Sequence, residues 1–149
     1  MIVHVQRLEI VEYPPTGEHW ISTNVTHPTL ADIEVAIRRL DQHRFPFVIL
    51  WSSVDEATHD VEGGADELEV MGGKGAYWLA GTFRGYFQRR LDDGSGAATE
   101  VTVWTSDQGF ADAERRVSRD VEAVVRAALY FAEHGDFDPR LKWEDPPKT

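Results

Sequence analysis

The segment SRDVEAVVRAALYFAEHG, residues 118–135, constrains the fold more than any other part of the sequence. Its apolar residues recur three and four positions apart, which places them on one face of an α-helix. Ser118 or Asp120 can cap the start of this helix, and Gly135 stands where a left-handed C-terminal cap belongs. The apolar face consists of Val121, Val124, Val125, Ala128, Leu129 and Ala132. The pattern predicts an amphipathic helix that buries this face in a core.

A second helix is predicted over residues 26–43, where Thr29 can act as the N-cap and Asp32 completes a variant capping box. Most of the remaining chain consists of strand-like segments separated by turns, among them the continuously apolar stretch 45–51, which is typical of a central strand. Residues 107–116 are expected to be irregular. The element order predicts an α+β fold, with an antiparallel sheet of about five to six strands and two main helices packed on one face.

The length and composition favour one domain over residues 1–149 in a reducing compartment. The chain has 149 residues, 42% of them hydrophobic, and no internal repeat or low-complexity linker. It has no cysteine, which excludes disulfides and thiolate metal sites and fits the cytoplasm. The N-terminal residues lack the pattern of a signal peptide, and no apolar run approaches the roughly 20 residues of a membrane helix. We therefore expect a cytoplasmic protein.

The charge of the chain favours a basic partner. Asp and Glu number 26 against 15 Lys and Arg, which gives a formal net charge of −11. Such a charge repels nucleic acid and anionic membranes and attracts basic proteins. Solubility alone is the alternative explanation. When free, the protein is expected to be a monomer or a weak homodimer.

The negative charge is concentrated in one segment. Residues 45–73 contain no Lys or Arg, and local pairing of the acidic side chains is therefore impossible within the segment. The candidate partner-binding carboxylates are Asp55, Glu56, Asp60, Glu62, Asp66, Glu67 and Glu69. A basic surface that docks here would relieve their mutual repulsion and be steered in quickly. A solvated loop without a binding role is the alternative interpretation.

Two tryptophans are candidate anchors for the same partner. Trp78 and Trp104 each point to the side opposite the apolar residues of their own strands. If helices cover one face of the sheet, both tryptophans lie on the open face, where exposed indoles often anchor interfaces. The alternative is that both pack under a loop.

Catalytic and metal-binding patterns are weak, and we expect no enzyme activity, no metal and no cofactor. The segment GGKGAY, residues 72–77, lacks the first glycine and the Ser or Thr of a phosphate-binding loop. The six histidines show no metal-ligand spacing. A carboxylate-based hydrolase stays open because paired carboxylates occur in 55–69. A small-ligand-binding or regulatory α+β domain is a further alternative.

Several motifs resemble the first-numbered immunity protein family of bacterial polymorphic toxin systems. They are the glycine-rich segment GGKGAYW at 72–78, the strand, loop and helix of 101–135, and the C-terminal segment FAEHGDFDPRLKWE at 131–144. The resemblance covers roughly residues 68–145, and Lys74 inside the glycine run departs from the family pattern. The family-motif residues, expected to be structural, are Gly72, Gly73, Gly75, Phe131, Gly135, Pro139 and Trp143.

The resemblance implies a function in neutralising a toxin. Members of the family are small cytoplasmic α+β proteins that bind a cognate secreted toxin, and deaminase-type and other nucleic-acid-targeting toxins are prominent among these. The resemblance supplies no catalytic residue. We expect the tail, residues 136–149, to fold back on the core, with Trp143 closing one end of it because Gly135 stops the helix and Pro139 turns the chain.

Overall fold

The computed structural model describes residues 3–15, 19–53, 65–83, 87–105 and 108–144. Two α-helices and ten strands form in these residues, together with one turn of 3₁₀-helix, Glu114–Arg116. The elements are β1 Arg7–Glu12, β2 Ile21–Thr26, α1 Leu30–Arg38, β3 Phe47–Trp51, β4 Glu67–Gly73, β5 Ala76–Phe83, β6 Phe87–Asp92, β7 Glu100–Thr105, β8 Gln108–Ala113, β9 Val117–Ser118, α2 Val121–His134 and β10 Lys142–Glu144. The predicted α+β class with two helices is confirmed.

The main sheet has eight strands, so the prediction of five to six strands is wrong. Its order is β10-β6-β5-β4-β3-β1-β2, with β9 also paired to β5, and all these pairs are antiparallel. Strands β9 and β10 have only two and three residues. Strands this short carry too few side chains for an alternating pattern to appear in the sequence.

Strands β7 and β8 form a separate two-stranded sheet, which we call the β7–β8 hairpin. The expectation that residues 107–116 are irregular is therefore wrong for β8. The segment QGFADA has little strand propensity of its own. It is ordered as a strand by its pairing with β7 and by Phe110, whose ring lies 4.9 Å from that of Trp78 in the main sheet.

Both helices pack on the same face of the main sheet. Strand residues that lie opposite one another, such as Leu8, Leu50 and Leu68, are fully buried and form one cluster with helix residues. The helices contribute Ile33, Ile37, Val124, Ala128 and Phe131 to it. Period-two burial along the strands therefore meets the apolar stripes of the two helices, as an α+β core requires.

The predicted cap of α1 is present, although the helix is shorter than the predicted 26–43. The Thr29 side chain accepts a hydrogen bond from the backbone N–H of Asp32 at 3.1 Å, and the Asp32 carboxylate accepts one from the backbone N–H of Thr29 at 2.9 Å. The helix ends at Arg38, just before the turn that leads into β3. Reciprocal bonds of this kind satisfy two backbone donors that the first helical turn leaves free.

Thr29→Ala is expected to destabilise the protein by about 1 kcal/mol, because the alanine leaves one of these donors without its partner. Chemical denaturation followed by circular dichroism measures the change. Thr29→Ser is the matched control, since it keeps the capping hydroxyl and should stay close to the wild type. Equal losses in both variants would contradict the capping role.

The glycine run connects β4 to β5 through a tight turn. Lys74 and Gly75 have positive φ angles of 50° and 84°, as a two-residue type I′ hairpin turn requires. Before the turn, a Cβ on Gly72 would collide with the carbonyl oxygen of Ala76, and one on Gly73 would collide with the backbone of Leu40. The run is thus explained by backbone geometry and close packing.

The C-terminal segment returns to the sheet after α2. Gly135 has a left-handed φ of 68° and ends the helix by donating its N–H to the carbonyl of Phe131. Strand β10 then pairs with β6, which places Trp143 directly opposite Leu91. The indole lies 4.7 Å from the ring of Phe137 and donates to the backbone carbonyl of Asp138 at 3.0 Å. Residues 145–149 lie outside the described residues.

Candidate functional site

The acidic residues predicted to bind a partner fall partly within the described residues. Glu67 and Glu69 lie on β4, and Asp66 directly precedes that strand. The others, Asp55, Glu56, Asp60 and Glu62, lie in residues 54–64, outside the described residues. The structure therefore positions residues 45–53 and 65–73 of the acidic segment, on either side of residues 54–64.

Glu67 and Glu69 project from the face of the sheet opposite the helices. They alternate along β4 with Leu68, which points into the helix-covered core. In the register of β4 with β3, Glu69 lies opposite Ile49 and Glu67 lies opposite Trp51. Both carboxylates thus stand beside partly exposed apolar side chains.

A third carboxylate, Glu9 of β1, completes the group. Glu9 lies opposite Ile49 on the other side of β3, so that Ile49 separates it from Glu69 by two strand spacings, roughly 10 Å. Glu9 is not among the carboxylates predicted from the sequence. Its position between Leu8 and Ile10 signals an outward-facing side chain, but its neighbours depend on the strand order. We call the surface formed by Glu9, Ile49, Trp51, Glu67 and Glu69 the acidic face.

The three carboxylates differ in their partners. Glu9 accepts hydrogen bonds from the Ser22 hydroxyl at 2.7 Å and the Trp51 indole N–H at 3.3 Å, and Arg7 lies 3.6 Å away. In the part of the chain that the structure describes, no cationic side chain lies within ion-pair distance of Glu67 or Glu69. The β4 side of the acidic face therefore carries negative charge that these residues leave uncompensated.

Glu69 stands where a negative charge is unfavourable. Burial, together with the negative charges of Glu67 and Glu9, raises the pKa of Glu69 to about 7. The ionised form is disfavoured because the side chain is partly removed from water and stands near like charges. A cation brought close to Glu69 would favour the ionised form again.

Glu69→Gln is expected to stabilise the protein in a pH-dependent way. The folded protein holds the Glu69 proton more tightly than the unfolded chain, where the pKa is 4.5, and the wild type therefore loses stability as pH rises from about 4.5 to 7. The variant should gain on the order of 1 to 3 kcal/mol at about pH 8 and less than about 1 kcal/mol at about pH 5.

Denaturation midpoints at the two pH values measure this difference. Glu100→Gln is the control, because Glu100 is an exposed residue of β7. It should change stability little at either pH. A Glu69→Gln gain that is equal at both pH values would show that the ionisation of Glu69 is not the cause.

Ser52 and Asp66, on either side of residues 54–64, are held beside this face. The backbone N–H of Ser52 donates to the carbonyl of Asp66, and the backbone N–H of Asp66 donates to the Ser52 hydroxyl, both at 2.8 Å. These bonds extend the β3–β4 pairing by one position past Trp51 and Glu67. The chain therefore enters and leaves residues 54–64 at the end of the acidic face.

Trp78 points away from the helices as predicted, but it is buried, with only 4% of its surface exposed. The β7–β8 hairpin covers it. Its indole N–H donates to Asp112 of β8 at 3.0 Å, and its ring packs on Phe110. The expectation that Trp78 is an exposed anchor is therefore wrong. Packing of a remote hairpin on the sheet decides this burial, and alternation along one strand cannot reveal it.

Trp104 is exposed, with 44% of its surface accessible, but it belongs to the hairpin and not to the main sheet. Its backbone N–H donates to the side-chain carbonyl of Gln42 at 3.0 Å, which ties the hairpin to the turn after α1. Of the two tryptophans predicted to be exposed anchors, Trp104 is exposed and Trp78 is not.

A second charged cluster lies where the hairpin meets the C-terminal strand. Arg116 donates to Asp112 at 2.6 Å and binds Glu144 through two nitrogens at 2.9 and 2.7 Å. The bonds from Arg116, followed by Arg115, hold the pKa of Glu144 at about 2. Burial alone would raise the pKa of Asp112, but bonds from Arg116, the Ala113 backbone and Trp78 lower it. Arg90 also lies 3.7 Å from Asp112, so both carboxylates of the cluster are paired with arginine. The cluster therefore joins elements and offers no unpaired carboxylate to a basic partner.

The described residues were also compared with the requirements of a ligand cavity, a metal site and a membrane span. A cavity of about 590 Å³ lies near the start of α2, lined by residues of both charges, including Asp92, Arg126 and Lys142. No group of three or more His, Asp or Glu in the described ranges is arranged to hold a metal ion. Neither α1 nor α2 has the length and apolar character needed to cross a membrane.

No family model matches the sequence, and no curated protein or solved structure matches it either.

Proposed function

We propose that this protein binds a basic protein partner through the acidic face and the acidic residues of 54–66, and that it does so as an immunity protein. In this proposal the partner is a cognate toxin that attacks nucleic acid. The protein acts in the cytoplasm and carries out no chemical step of its own. It neutralises the toxin by covering its active site or substrate channel.

One observation carries the proposal: three carboxylates from two strands share a face, and burial together with the charges of Glu67 and Glu9 raises the pKa of Glu69 to about 7. A raised pKa marks a carboxylate whose surroundings disfavour its charge. Such a charge costs free energy in the free protein, and contact with Lys or Arg side chains would relieve it. The face therefore favours binding of cations.

The chemistry of the partner fits the same surface. A protein that binds nucleic acid presents Lys and Arg to phosphate groups. Carboxylates can take the place of those phosphates, because arginine pairs with both groups in a similar two-pronged geometry. Ile49 lies between Glu9 and Glu69, Trp51 lies between Arg7 and Glu67, and both supply apolar contact area. Apolar contacts with a polar rim are typical of specific protein interfaces.

Co-expression with the product of the neighbouring gene tests the proposal. If that product is the toxin, the protein should restore growth of cells that produce it and should co-purify with it as a stable complex. A protein that neither protects the cells nor binds the product would overturn the immunity function. Binding without protection would overturn neutralisation and leave only an acidic partner-binding domain.

A further inference from the structure

Strand β2 forms one edge of the main sheet, beyond β1. Its outward-facing backbone groups follow from the register with β1. The backbone N–H of His27 donates to the carbonyl of Gln6 at 2.8 Å, in the same register. Because hydrogen-bonded positions alternate in an antiparallel pair, the N–H and C=O groups of Ser22, Asn24 and Thr26 point away from β1.

Within the described residues, this edge lacks the usual protection against pairing with another chain. Native edge strands are commonly short, bulged or charged. The opposite edge of the sheet, β10, follows that rule, since it has three residues and two of them are Lys142 and Glu144. Strand β2, by contrast, is the six-residue segment ISTNVT, which contains no charged residue and no proline.

Exposed apolar side chains flank the same edge. Trp20, directly before β2, is 55% exposed, Ile21 at the start of β2 is 48% exposed, and Val35 of α1 is 63% exposed. They are three of the four exposed large hydrophobic residues in the described ranges. Val35 and Val25 also line an apolar groove of about 240 Å³ between α1 and the first two strands. An apolar surface beside an unpaired strand is typical of an interface.

We propose that β2 pairs with β2 of a second copy of this chain, antiparallel and about a two-fold axis at Asn24. In this register Ser22 lies opposite Thr26 of the other copy, and Asn24 lies opposite Asn24. The backbones of all three outward-facing residues of each copy then form hydrogen bonds with the other copy, about six in total. Registers centred on Ser22 or Thr26 use fewer of these residues. The two apolar grooves then lie on the same side of the joined sheets.

The absence of charge on β2 favours a second copy of this chain as the occupant. Two chains with a net charge of −11 repel one another over most of their surfaces. The uncharged β2 edge is a surface on which no carboxylate meets its own copy, because Glu9 is separated from Glu9 of the other copy by Asn24 of both copies. A basic partner would gain no ion pair from this strand. The two-fold pairing also closes on itself and forms no filament, because the second copy uses the same edge.

Disulfide trapping tests the pairing and its register, because the chain has no cysteine of its own. In the proposed dimer, the two Cα atoms of residue 24 lie about 5.5 Å apart, within the range that a disulfide spans. Asn24→Cys should therefore form a disulfide-linked dimer rapidly in a glutathione redox buffer at low protein concentration. Ser22→Cys is the matched control, because its two copies lie roughly 13 Å apart and should cross-link far more slowly.

Sedimentation of the wild-type protein provides the second measurement. We expect a concentration-dependent dimer, and we expect Asn24→Asp to shift it to monomer by placing two carboxylates across the axis while retaining an acceptor for Arg7. A wild-type monomer at all concentrations would overturn the proposal. Cross-linking of Ser22→Cys as fast as Asn24→Cys would overturn the register. A monomer that loses toxin binding through Asn24→Asp would assign the edge to a foreign strand and also overturn self-pairing.

Discussion

The double variant Glu67→Lys/Glu69→Lys is expected to weaken binding of the partner toxin by at least about 100-fold, which corresponds to about 2.7 kcal/mol. Both residues lie on the acidic face, and no described cation pairs with either of them. Reversal of their charge would place two ammonium groups against a basic surface, and juxtaposed like charges at an interface cost several kcal/mol. Titration calorimetry or surface binding kinetics at two salt concentrations measures the loss.

The control for this experiment keeps the change of net charge but moves it elsewhere. Glu100 of β7 and Glu133 of α2 lie outside the acidic face, so Glu100→Lys/Glu133→Lys tests long-range attraction alone. It should slow association modestly and leave dissociation almost unchanged, because distant charges act mainly on encounter. Equal effects of the two double variants would mean that only the net charge matters and that the acidic face is not the contact surface.

Trp143→Ala is expected to lower the stability of the free protein by about 3 kcal/mol, or roughly 6 to 12 °C in melting temperature. The indole contacts Phe137, lies opposite Leu91 and donates to the carbonyl of Asp138. Its loss would leave a cavity at the edge of the core and remove one of the two hydrogen bonds to the Asp138 carbonyl, which also accepts from the backbone N–H of Leu141 at 3.1 Å. Phe137 in turn fills the space over Gly81, where an added Cβ would meet its ring. Thermal denaturation measures the effect.

Two further tryptophan variants separate packing from binding. Trp143→Phe keeps the ring but not the N–H and should lose only about 1 kcal/mol, the typical contribution of one hydrogen bond. Trp104→Ala removes a half-exposed indole from the hairpin and should cost less stability than Trp143→Ala, because less of its surface is buried. If Trp143→Ala keeps the stability of the wild type but fails to protect against the toxin, Trp143 belongs to the interface and its structural role is wrong.

The parts of the fold that the sequence predicts are those with a local signal. The apolar period of α2 and the glycine at 135 predict both its existence and its end, and Thr29 with Asp32 predicts the start of α1. The strand count depends on partners remote in sequence. Strand β8 contains small and polar residues, and it forms because β7 and Trp78 lie beside it. Such tertiary contacts override weak local preferences.

Some residues of the candidate site can likewise be predicted from the sequence, and others require the strand order. The absence of cations between Phe45 and Gly73 identifies Glu67 and Glu69 in the sequence, since composition alone carries that signal. Glu9 joins them only because β1 lies beside β3, and strand order cannot be derived from alternation. The burial of Trp78 likewise requires knowing where the hairpin packs.

The most direct test of the acidic face is the accessibility of its carboxylates with and without the toxin. Carbodiimide labelling with glycine ethyl ester, followed by mass spectrometry, reports the exposure of individual Asp and Glu side chains. Complex formation should reduce labelling of Glu67 and of the peptide that contains residues 55–66, and leave Glu100 and Glu133 unchanged. A complex in which Glu67 and that peptide label as in the free protein, while carboxylates elsewhere become protected, would contradict the proposed binding surface.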